Sequence, residues 1–387
     1  MSERIDGPRK PRLLVILEAG TAIPSGVLRA KIYHQCLIDA GFEVRYRNRL
    51  RPGLVRLRET PPDWLVPLMT GWVAQVLAGL IRSLALVSEF FIVRAARRAD
   101  VVYMSKVSSL GLVRKLRAGT AAPLVFDFGD AVWIKLLGFD EVLRLVHYVT
   151  TDNEYTAAYV RRFNRQCTVV PDCAQVEWFD QQRHKRAANP DGTITLGWIG
   201  SPRTAHNLFA LWEALEQLCV RYDHLRVRLL GVGDDSPYLP PFEKVRYTCL
   251  PHYSQASMID EVLAMDIGVF PLHQVEASVV RGVLKATVYM AGGIPAVCSP
   301  VGQCVDLIDD GVNGFLAGST REWEHKLSCL IEDQALRERI GQAGLETVRR
   351  DFSLEGGFSR LRGVLEQAMA ERSGRDAGKA ATGTDGA

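Results

Sequence analysis

Short, unbroken apolar runs recur along the first half of the chain and alternate with segments of helical periodicity. Runs of this kind, without a polar member, are typical of strands that are buried on both faces of a sheet. The predicted strands are 13–17, 43–46, 101–104, 124–128 and 148–151. A helix is predicted at 27–40, with Gly41 in the position of its C-terminal cap. The alternation predicts a parallel sheet covered by helices on both faces, which is a Rossmann-like unit.

The same alternation starts again after a polar stretch that ends near Asp191 and is interpreted as a connector. The predicted strands of this second half are 194–199, 227–231, 266–270 and 295–298, and the predicted helices are 206–220, 257–264 and 283–291. The sequence therefore predicts an α/β protein with two doubly wound domains, at 1–175 and 176–352, that face each other across a cleft. A last helix is expected at 353–370, followed by a small, polar, disordered tail at 371–387.

Composition agrees with a protein of this kind and narrows its class. The 387 residues are 47% hydrophobic and 24% charged, which fits a full-sized core and excludes disordered and collagen-like chains. The eight cysteines form no C-x-x-C pair and have no histidine at zinc spacing, so no metal site is expected. The N-terminus has no apolar stretch of signal-peptide length, which predicts a reducing, cytoplasmic location.

The net charge of +3 conceals two halves of opposite sign. Residues 1–186 hold 28 Lys and Arg against 18 Asp and Glu, hence +10, whereas residues 187–387 hold 19 against 26, hence −7. In the basic half, six arginines between 45 and 58 precede Trp64–Ile81, a stretch of 18 residues without a charge. Three interpretations stay open: a core helix beside a basic loop, docking of 45–98 on the anionic inner face of a membrane, and a membrane span.

Glycines after the first predicted strand mark a candidate anion site. Gly20 and Gly26 could bring backbone N–H groups close to an anion, and Arg29 would add a positive charge from the following helix. The loop lacks the G-x-G-x-x-G pattern, so it gives little support for NAD binding. An ordinary tight turn is the alternative.

The second half repeats the pattern of glycines after a predicted strand and adds more cations. Gly200, Ser201 and Arg203 stand between a predicted strand and a helix, and Gly231 follows the next strand. Arg281 and Lys285 are four residues apart and therefore lie on one face of a helix. Two cations at this spacing suit a diphosphate, although turn chemistry and a solvated basic face remain alternatives.

The segment 289–327, YMAGGIPAVCSPVGQCVDLIDDGVNGFLAGSTREWEHKL, resembles the C-terminal signature of the retaining family-four, or group 1, glycosyltransferases. GWIGSPRTAHNL, LLGVG and DIGVFPL resemble the preceding strands of the same domain, in order and at suitable spacing. PSGVLRAKIYHQCLIDAGFEV, VFDFGDAVW and VTTDNEYTAAYV resemble the acceptor domain of bacterial members. The resemblance covers roughly 12–370 and is most specific at 285–316.

The resemblance implies the GT-B fold and a metal-independent transfer of a sugar from a nucleotide-diphosphate sugar, with no other cofactor. The C-terminal domain would hold the nucleotide, the N-terminal domain would hold the acceptor, and the last helix would cross back to the first domain. The acceptor would be a glycan, a lipid-linked molecule or a small natural product, and no nucleic acid partner is expected. Asp130, Asp127 and Lys285 are the expected catalytic residues. Asp130 is the preferred carboxylate for the acceptor hydroxyl, and capping of the following turn is the alternative.

The sequence departs from the family pattern where members usually carry charge. Val280 and Val288 stand where two glutamates spaced E-x7-E are usual. Ser201 takes the place of an arginine, and His206 or Asn207 falls near the place of a lysine.

Other residues of the second half are expected to replace the missing groups. Glu276 is the candidate acid near the donor sugar, and Arg203, Arg281 and Lys285 are the candidate cations. The residues expected around the donor are Gly20, Arg29, Gly200, Ser201, Arg203, Gly231, Glu276, Arg281 and Lys285. Two alternatives to a transferase stay open: a non-catalytic binding or partner subunit that has lost the glutamates, and a nucleotide-sugar epimerase on the same fold.

Overall fold

The computed structural model describes residues 9–20, 24–51, 71–107, 109–134, 136–185 and 191–382. The chain forms two compact units, of which the first comprises Met1–Pro171 and Phe358–Ala387 and the second Asp172–Gly357. Each unit contains a six-stranded sheet in which all paired strands are parallel. This confirms the prediction of two Rossmann-like units, because parallel neighbours require a crossover segment over the sheet.

In the first unit, buried strands occupy the middle of the sheet. The strands are β1 (Arg12–Leu17), β2 (Glu43–Asn48), β3 (Val101–Ser105), β4 (Leu124–Phe128), β5 (Tyr148–Thr151) and β6 (Cys167–Val169). The helices are α1 (Pro24–Leu28), α2 (His34–Asp39), α3 (Gly71–Ala96), α4 (Leu110–Gly119), α5 (Phe139–Leu145) and α6 (Glu154–Val160). The order β2-β1-β3-β4-β5-β6 places the fully buried strands β3 and β4 at the centre.

The second unit repeats this plan. Its strands are β7 (Ile194–Ile199), β8 (Leu225–Leu230), β9 (Tyr247–Leu250), β10 (Ile267–Phe270), β11 (Ala296–Cys298) and β12 (Phe315–Leu316), in the order β12-β11-β10-β7-β8-β9. Its helices are α7 (Val176–Gln182), α8 (Trp212–Arg221), α9 (Gln255–Leu263), α10 (Glu276–Val279), α11 (Leu284–Ala291), α12 (Gln303–Leu307), α13 (Thr320–Glu332) and α14 (Gln334–Asp351). A final helix, α15 (Leu354–Thr382), belongs to the first unit from Phe358 onward.

Four predicted segments differ from the structure. The helix predicted at 206–220 is divided at Leu211 into the 3₁₀ helix Pro202–Ala210 and α8. The helix predicted at 27–40 is split into α1, a 3₁₀ turn (Lys31–Tyr33) and α2, because the chain turns at Arg29 and the Tyr103 hydroxyl donates to the Arg29 carbonyl (2.9 Å). The connector before Asp191 contains α7, whose Val176 and Phe179 are buried. The predicted disordered tail from 371 is helical as far as Thr382, and 383–387 lie outside the described residues.

From Gly71 onward, the long apolar segment of the first half lies in α3, which has 26 residues. Among the described residues, no helix combines the length and apolarity needed to cross a bilayer. Residues 52–70, which include Trp64 and two of the six clustered arginines, Arg56 and Arg58, lie outside the described residues.

A buried ion pair holds the centre of the first unit together. Arg29 bonds Asp127 through two nitrogens, with Nη2 2.6 Å from Oδ1 and Nε 3.0 Å from Oδ2. Arg29 Nη1 donates to the Val170 carbonyl (3.1 Å), and the Thr150 hydroxyl donates to Asp127 Oδ1 (2.8 Å). Both charged side chains are almost completely shielded from water, at 5% and 1% exposure. The pair therefore links the turn after α1, strand β4 and the end of β6.

In the second unit, Tyr289 connects α11 to the sheet through two hydrogen bonds and the packing of its ring. Its hydroxyl accepts a hydrogen bond from the Ile199 N–H (2.9 Å) at the end of β7 and donates to the Val269 carbonyl (3.3 Å) in β10. Its ring lies on Gly268, where a Cβ would fall 2.3 Å from a ring carbon. The ring, the strand and the helix therefore fit only because residue 268 has no side chain.

We expect Arg29→Met to lower the free energy of unfolding of the first unit by about 3–5 kcal/mol, because it leaves the buried Asp127 carboxylate without its cation. Denaturant unfolding measures this loss. Arg165→Met, at an exposed arginine of the same unit, is the matched control and should change stability little. The double change Arg29→Met with Asp127→Leu should recover most of the loss, and a single-variant loss below about 1 kcal/mol would contradict the assignment.

Gly268→Ala should destabilise the second unit by about 1–3 kcal/mol, because the new methyl group overlaps the Tyr289 ring. The control is Gly363→Ala in α15, where a Cβ meets nothing within 4 Å and a helical alanine is favoured. Thermal unfolding of the two variants should move in opposite directions; equal shifts would argue against a tight Tyr289 contact.

Candidate functional site

Two of the predicted site residues in the first unit, Arg29 and Asp127, form an ion pair with each other. Arg29 was expected to hold an anion and Asp127 to meet an acceptor hydroxyl, but both are buried in the ion pair described above. A guanidinium that already bonds a carboxylate and a carbonyl offers no face to a ligand. The structure therefore corrects both assignments to a structural role.

The glycine loop after β1 is also packed against itself. Gly20 adopts a left-handed backbone (φ 61°), and a Cβ on Gly26 would lie 2.2 Å from the Gly20 carbonyl oxygen. Residues 21–23 of the loop lie outside the described residues. With Arg29 buried, the predicted anion site at Gly20 has no cation from that helix.

Asp130 stands apart from Asp127, at the carboxyl end of β4. Its side chain is 59% exposed and bonds Lys106, with Nζ 2.8 Å from Oδ2. Lys106 follows β3, and both residues have left-handed backbones, with φ of 53° and 64°. Such conformations cost about 1–3 kcal/mol each in non-glycine residues and cluster at functional sites. Asp130 therefore keeps the access that its predicted role requires, and Lys106 is a neighbour that sequence analysis missed.

In the second unit, two glycines allow the loops after β7 and β8 to meet. Gly231 has a left-handed backbone (φ 86°), and a Cβ there would lie 2.1 Å from the Gly200 carbonyl oxygen. A Cβ on Gly200 would lie 2.1 Å from the ring of Trp198. Neither position admits a side chain without a shift of backbone or of a buried indole. The predicted glycines thus shape the carboxyl edge of this sheet.

Lys285 lies at this edge, in the first turn of α11. Its ammonium is 4.7 Å from the centre of the Trp198 ring and 5.7 Å from that of Phe270. It donates a hydrogen bond to the Thr204 hydroxyl (3.3 Å). That hydroxyl also accepts from the Ser201 N–H (2.9 Å) and donates to the Ser201 carbonyl (2.9 Å). Aromatic faces and a hydroxyl stabilise a cation without neutralising it.

The environment of Lys285 lowers the pKa of its ammonium to about 7. Burial is the larger cause, because it disfavours the charged form, and the charge of Arg281 acts in the same direction. A bound anion would reverse both effects. The site is therefore prepared for negative charge that the protein itself does not supply.

Two further cations lie near in the sequence. Arg281 lies in the loop before α11, which begins at Leu284, so the prediction that Arg281 and Lys285 share a helical face is wrong. The buried Nε of Arg281 has no hydrogen-bond partner among the described residues. Arg203 is exposed on the 3₁₀ helix Pro202–Ala210 that also carries Thr204, and it has no carboxylate partner within the described part of the chain. Glu276 is exposed at the start of α10. The structure brings Ser201 and Lys285 together through Thr204.

The positions that depart from the family pattern are packed or internally bonded. Val280 and Val288 are buried, and Val288 belongs to the core under α11. The buried Asn207 amide donates to the Thr204 carbonyl (3.0 Å), and its oxygen accepts from the His273 N–H (3.4 Å). The exposed ring of His206 stacks on that of His273, with centroids 5.8 Å apart. Asn207 therefore has a structural role.

Three contacts of the two edges were not predicted. Trp198 was seen only as part of an apolar strand, Thr204 as a polar residue of the loop, and Lys106 carried no motif. Thr204 had one signal, the S-x-x-T spacing of a capping box with Ser201, which the structure contains. Trp198 is identified only because its ring lies beneath Lys285 in the structure, and Lys106 only because its backbone is left-handed.

Comparison with known proteins shows what part of the second unit is similar to. Residues 193–333 match the family described as Glycosyl transferases group 1. The capsular polysaccharide biosynthesis glycosyltransferase CapM of Staphylococcus aureus is 26% identical over 160 residues, which are 38% of this chain and 40% of that protein. The chain thus matches less than half the length of this relative.

Solved structures agree with the whole fold. A sucrose-phosphate synthase from Thermosynechococcus elongatus superposes with a TM-score of 0.68 at 14% identity, over 94% of this chain and 100% of that one. Anabaena Alr3699/HepE in complex with UDP superposes with a TM-score of 0.60 at 14% identity, over 92% and 100%. The same protein in complex with UDP-glucose gives 0.59 at 14% identity, over 92% and 99%. This likeness gives the chain the GT-B fold, and the matched part of the second unit is similar to the group 1 glycosyltransferases.

Proposed function

We propose that the chain transfers a sugar from a uridine-diphosphate sugar to a hydroxyl group of a growing polysaccharide. The choice of UDP is supported by the complexes of Anabaena HepE with UDP and with UDP-glucose. The choice of acceptor is supported by the partial match to a capsular polysaccharide glycosyltransferase. Lipid-linked glycans belong to the same acceptor class, since they present the same hydroxyl groups.

The proposal rests on two cations at one edge of the second unit, Lys285 and Arg281, whose charge and hydrogen-bond donors the described residues satisfy only in part. The Lys285 ammonium meets two aromatic rings and a hydroxyl, and Arg281 Nε has no hydrogen-bond partner among the described residues. Glycines 200 and 231 allow the loops after β7 and β8 to pack closely at the same edge. A diphosphate supplies oxygens for both cations and would restore the charge balance of the site.

In the proposed reaction, the acceptor oxygen forms a bond to C1 of the donor sugar while the bond from C1 to the diphosphate oxygen breaks. The diphosphate leaves with the bonding electrons, and Lys285 and Arg281 stabilise the charge that it gains. The hydroxyl proton passes to the carboxylate of Asp130. Retention at C1 and independence of metal ions are parts of the proposal that rest on the family resemblance, and the protein cations would take the part of a metal.

A second candidate function is a non-catalytic sugar-nucleotide-binding subunit. It is favoured by Val280 and Val288, which pack into the unit where glutamates would reach a donor. Such a subunit would bind UDP and transfer nothing. Turnover of a sugar donor therefore distinguishes the two functions, whereas affinity for UDP does not.

Calorimetric titration with UDP tests the donor site. Lys285→Gln and Arg281→Gln should each weaken UDP binding by about 10- to 100-fold, because each removes a hydrogen bond to a charged group. Lys244→Gln, at an exposed lysine of the same unit, is the matched control and should bind like the unchanged protein. If UDP, GDP, ADP and TDP all fail to bind a folded sample, the proposed donor site is wrong.

Turnover of UDP-sugars with polysaccharide acceptors tests the reaction. Asp130→Asn should lower kcat by about 10²- to 10⁴-fold through loss of a proton acceptor while UDP affinity stays within about twofold. Turnover should persist with EDTA, and the product should keep the donor configuration at C1. UDP binding without transfer to any acceptor would favour the non-catalytic subunit, and equal losses of UDP affinity in Asp130→Asn and Lys285→Gln would remove the role of Asp130.

The pKa of Lys285 predicts the pH dependence of donor binding. The charged form dominates below pH 7 and is lost as the pH rises through about 7, so UDP affinity should fall between pH 6.5 and 8.5. Titration of the diphosphate acts in the opposite direction, because its last proton leaves near pH 6. Lys285→Arg keeps its charge at every pH tested and should show no such fall. An equal decline in both proteins would exclude Lys285 as the titrating group.

A further inference from the structure

Helix α3 exposes an apolar stripe along one face. The stripe is defined by Leu80, Leu84, Val87 and Phe91, whose spacing of four, three and four residues places them on one side of the helix. Their exposed fractions are 56%, 46%, 57% and 56%. Phe90 lies beside the stripe at 66% exposure and contacts Phe91 edge to face. Contiguous exposure of this kind marks an interaction surface.

The other face of α3 accounts for its packing on the sheet. Ala85, Glu89, Ile92 and Ala96 are its buried residues among the described side chains, again at helical spacing. Glu89 bonds Arg49 (3.0 Å) and, from the neighbouring helix, Lys115 (2.7 Å). The fold is therefore satisfied without the apolar stripe.

The stripe continues into a row of cations. Arg94 follows Phe91 at three residues and extends the same face toward the end of the helix, and Arg98 lies in the turn that follows Ala96. With three arginines of the adjoining strands they line a groove of about 210 Å³. The arginine groove is formed by Arg12, Arg45, Arg47, Arg94 and Arg98, with Phe91 at its side.

The charge of the arginine groove is only partly neutralised. Arg45 pairs with Glu43 (2.6 Å) and Arg12 with Asp100 (3.5 Å). Arg47, Arg94 and Arg98 have no carboxylate partner in the described part of the chain, which leaves three positive charges next to the apolar stripe.

We propose that the apolar stripe and the arginine groove form a docking surface for an anionic lipid bilayer. Guanidinium groups bind phosphate oxygens in a bidentate manner, so the groove fits lipid headgroups. The leucine and phenylalanine side chains would enter the boundary between headgroups and acyl chains, as on amphipathic helices that lie in a membrane surface. Both features adjoin on one exposed surface, which a flat bilayer can reach at once.

Charge complementarity selects the bilayer over a second copy of the chain. A two-fold dimer through this surface would place each arginine groove at the same interface, and like charges without partners oppose that arrangement. An anionic bilayer supplies the opposite charge over the whole surface. The proposal does not depend on the donor or the acceptor of the proposed reaction.

Co-sedimentation of the full chain with vesicles tests the surface. We expect binding to phosphatidylglycerol-containing vesicles at low salt, weaker binding at 0.5 M salt, and little binding to pure phosphatidylcholine. The double variant Arg94→Gln with Arg98→Gln should lower the partition coefficient by about 30-fold, because about 1 kcal/mol per basic residue corresponds to about a fivefold factor each. Phe90→Ser with Phe91→Ser should also abolish most of the binding.

The matched control is Arg162→Gln with Arg165→Gln, which removes two exposed charges from another surface of the same unit and should bind like the unchanged chain. Circular dichroism and thermal unfolding of every variant exclude loss of fold as the cause. The proposal is overturned if anionic vesicles fail to bind at low salt or if the control loses as much affinity as the groove variant. A concentration-dependent dimer that the phenylalanine variant dissolves would also overturn it, in favour of a second copy.

Discussion

The second unit holds the partly buried ammonium of Lys285 between two aromatic rings and a hydroxyl, and much of its local geometry serves that arrangement. Trp198 and Phe270 present ring faces to the charge, and Thr204 presents a hydroxyl oxygen. Gly200 is required because any side chain would enter the Trp198 ring. These contacts offset only part of the desolvation cost, which is why the pKa falls to about 7. In the proposed function, an incoming diphosphate would supply the missing compensation.

In the first unit, by contrast, the charge of a buried cation is neutralised within the fold. Arg29 is met by the carboxylate of Asp127 and by a backbone carbonyl, so its charge and its donors are satisfied within the fold. Such a pair stabilises the unit only while both members are present. In the sequence, Arg29 and Lys285 look alike, since each follows a glycine-containing loop near the start of a helix. The difference lies in the partner: a carboxylate makes a cation structural, whereas rings and a hydroxyl leave it ready for a ligand.

The predictable part of the fold is the part that depends on unbroken apolar runs. Strands 124–128, 148–151 and 194–199 agree with their predicted bounds because central parallel strands carry apolar side chains on both faces. β9 (Tyr247–Leu250) was missed because it is an edge strand with polar and half-buried positions. The helix predicted at 27–40 failed because Arg29 turns toward the interior to reach Asp127, a partner 98 residues away.

The candidate site was predictable to the extent that local spacing determines it. The strand-to-glycine pattern located the edge, and the four-residue separation of Arg281 and Lys285 identified its cations. The predicted shared helical face is wrong, because α11 begins at Leu284 and Arg281 lies in the loop before it. The partners of Lys285 could not be found this way, because Trp198 and Thr204 reach it from strands and turns that are adjacent only in space. The same holds for Asp127, whose burial no neighbouring residue reveals.

Tyr289 fixes the position of Lys285 relative to the sheet. One phenol hydroxyl bridges the ends of β7 and β10, and the ring fills the space that Gly268 leaves, one helical turn beyond the lysine. The helix that carries the cation therefore cannot slide or tilt unless the two strands separate or the ring leaves its place. A change of donor preference, by evolution or by design, must then be made in the loops that surround a stationary cation.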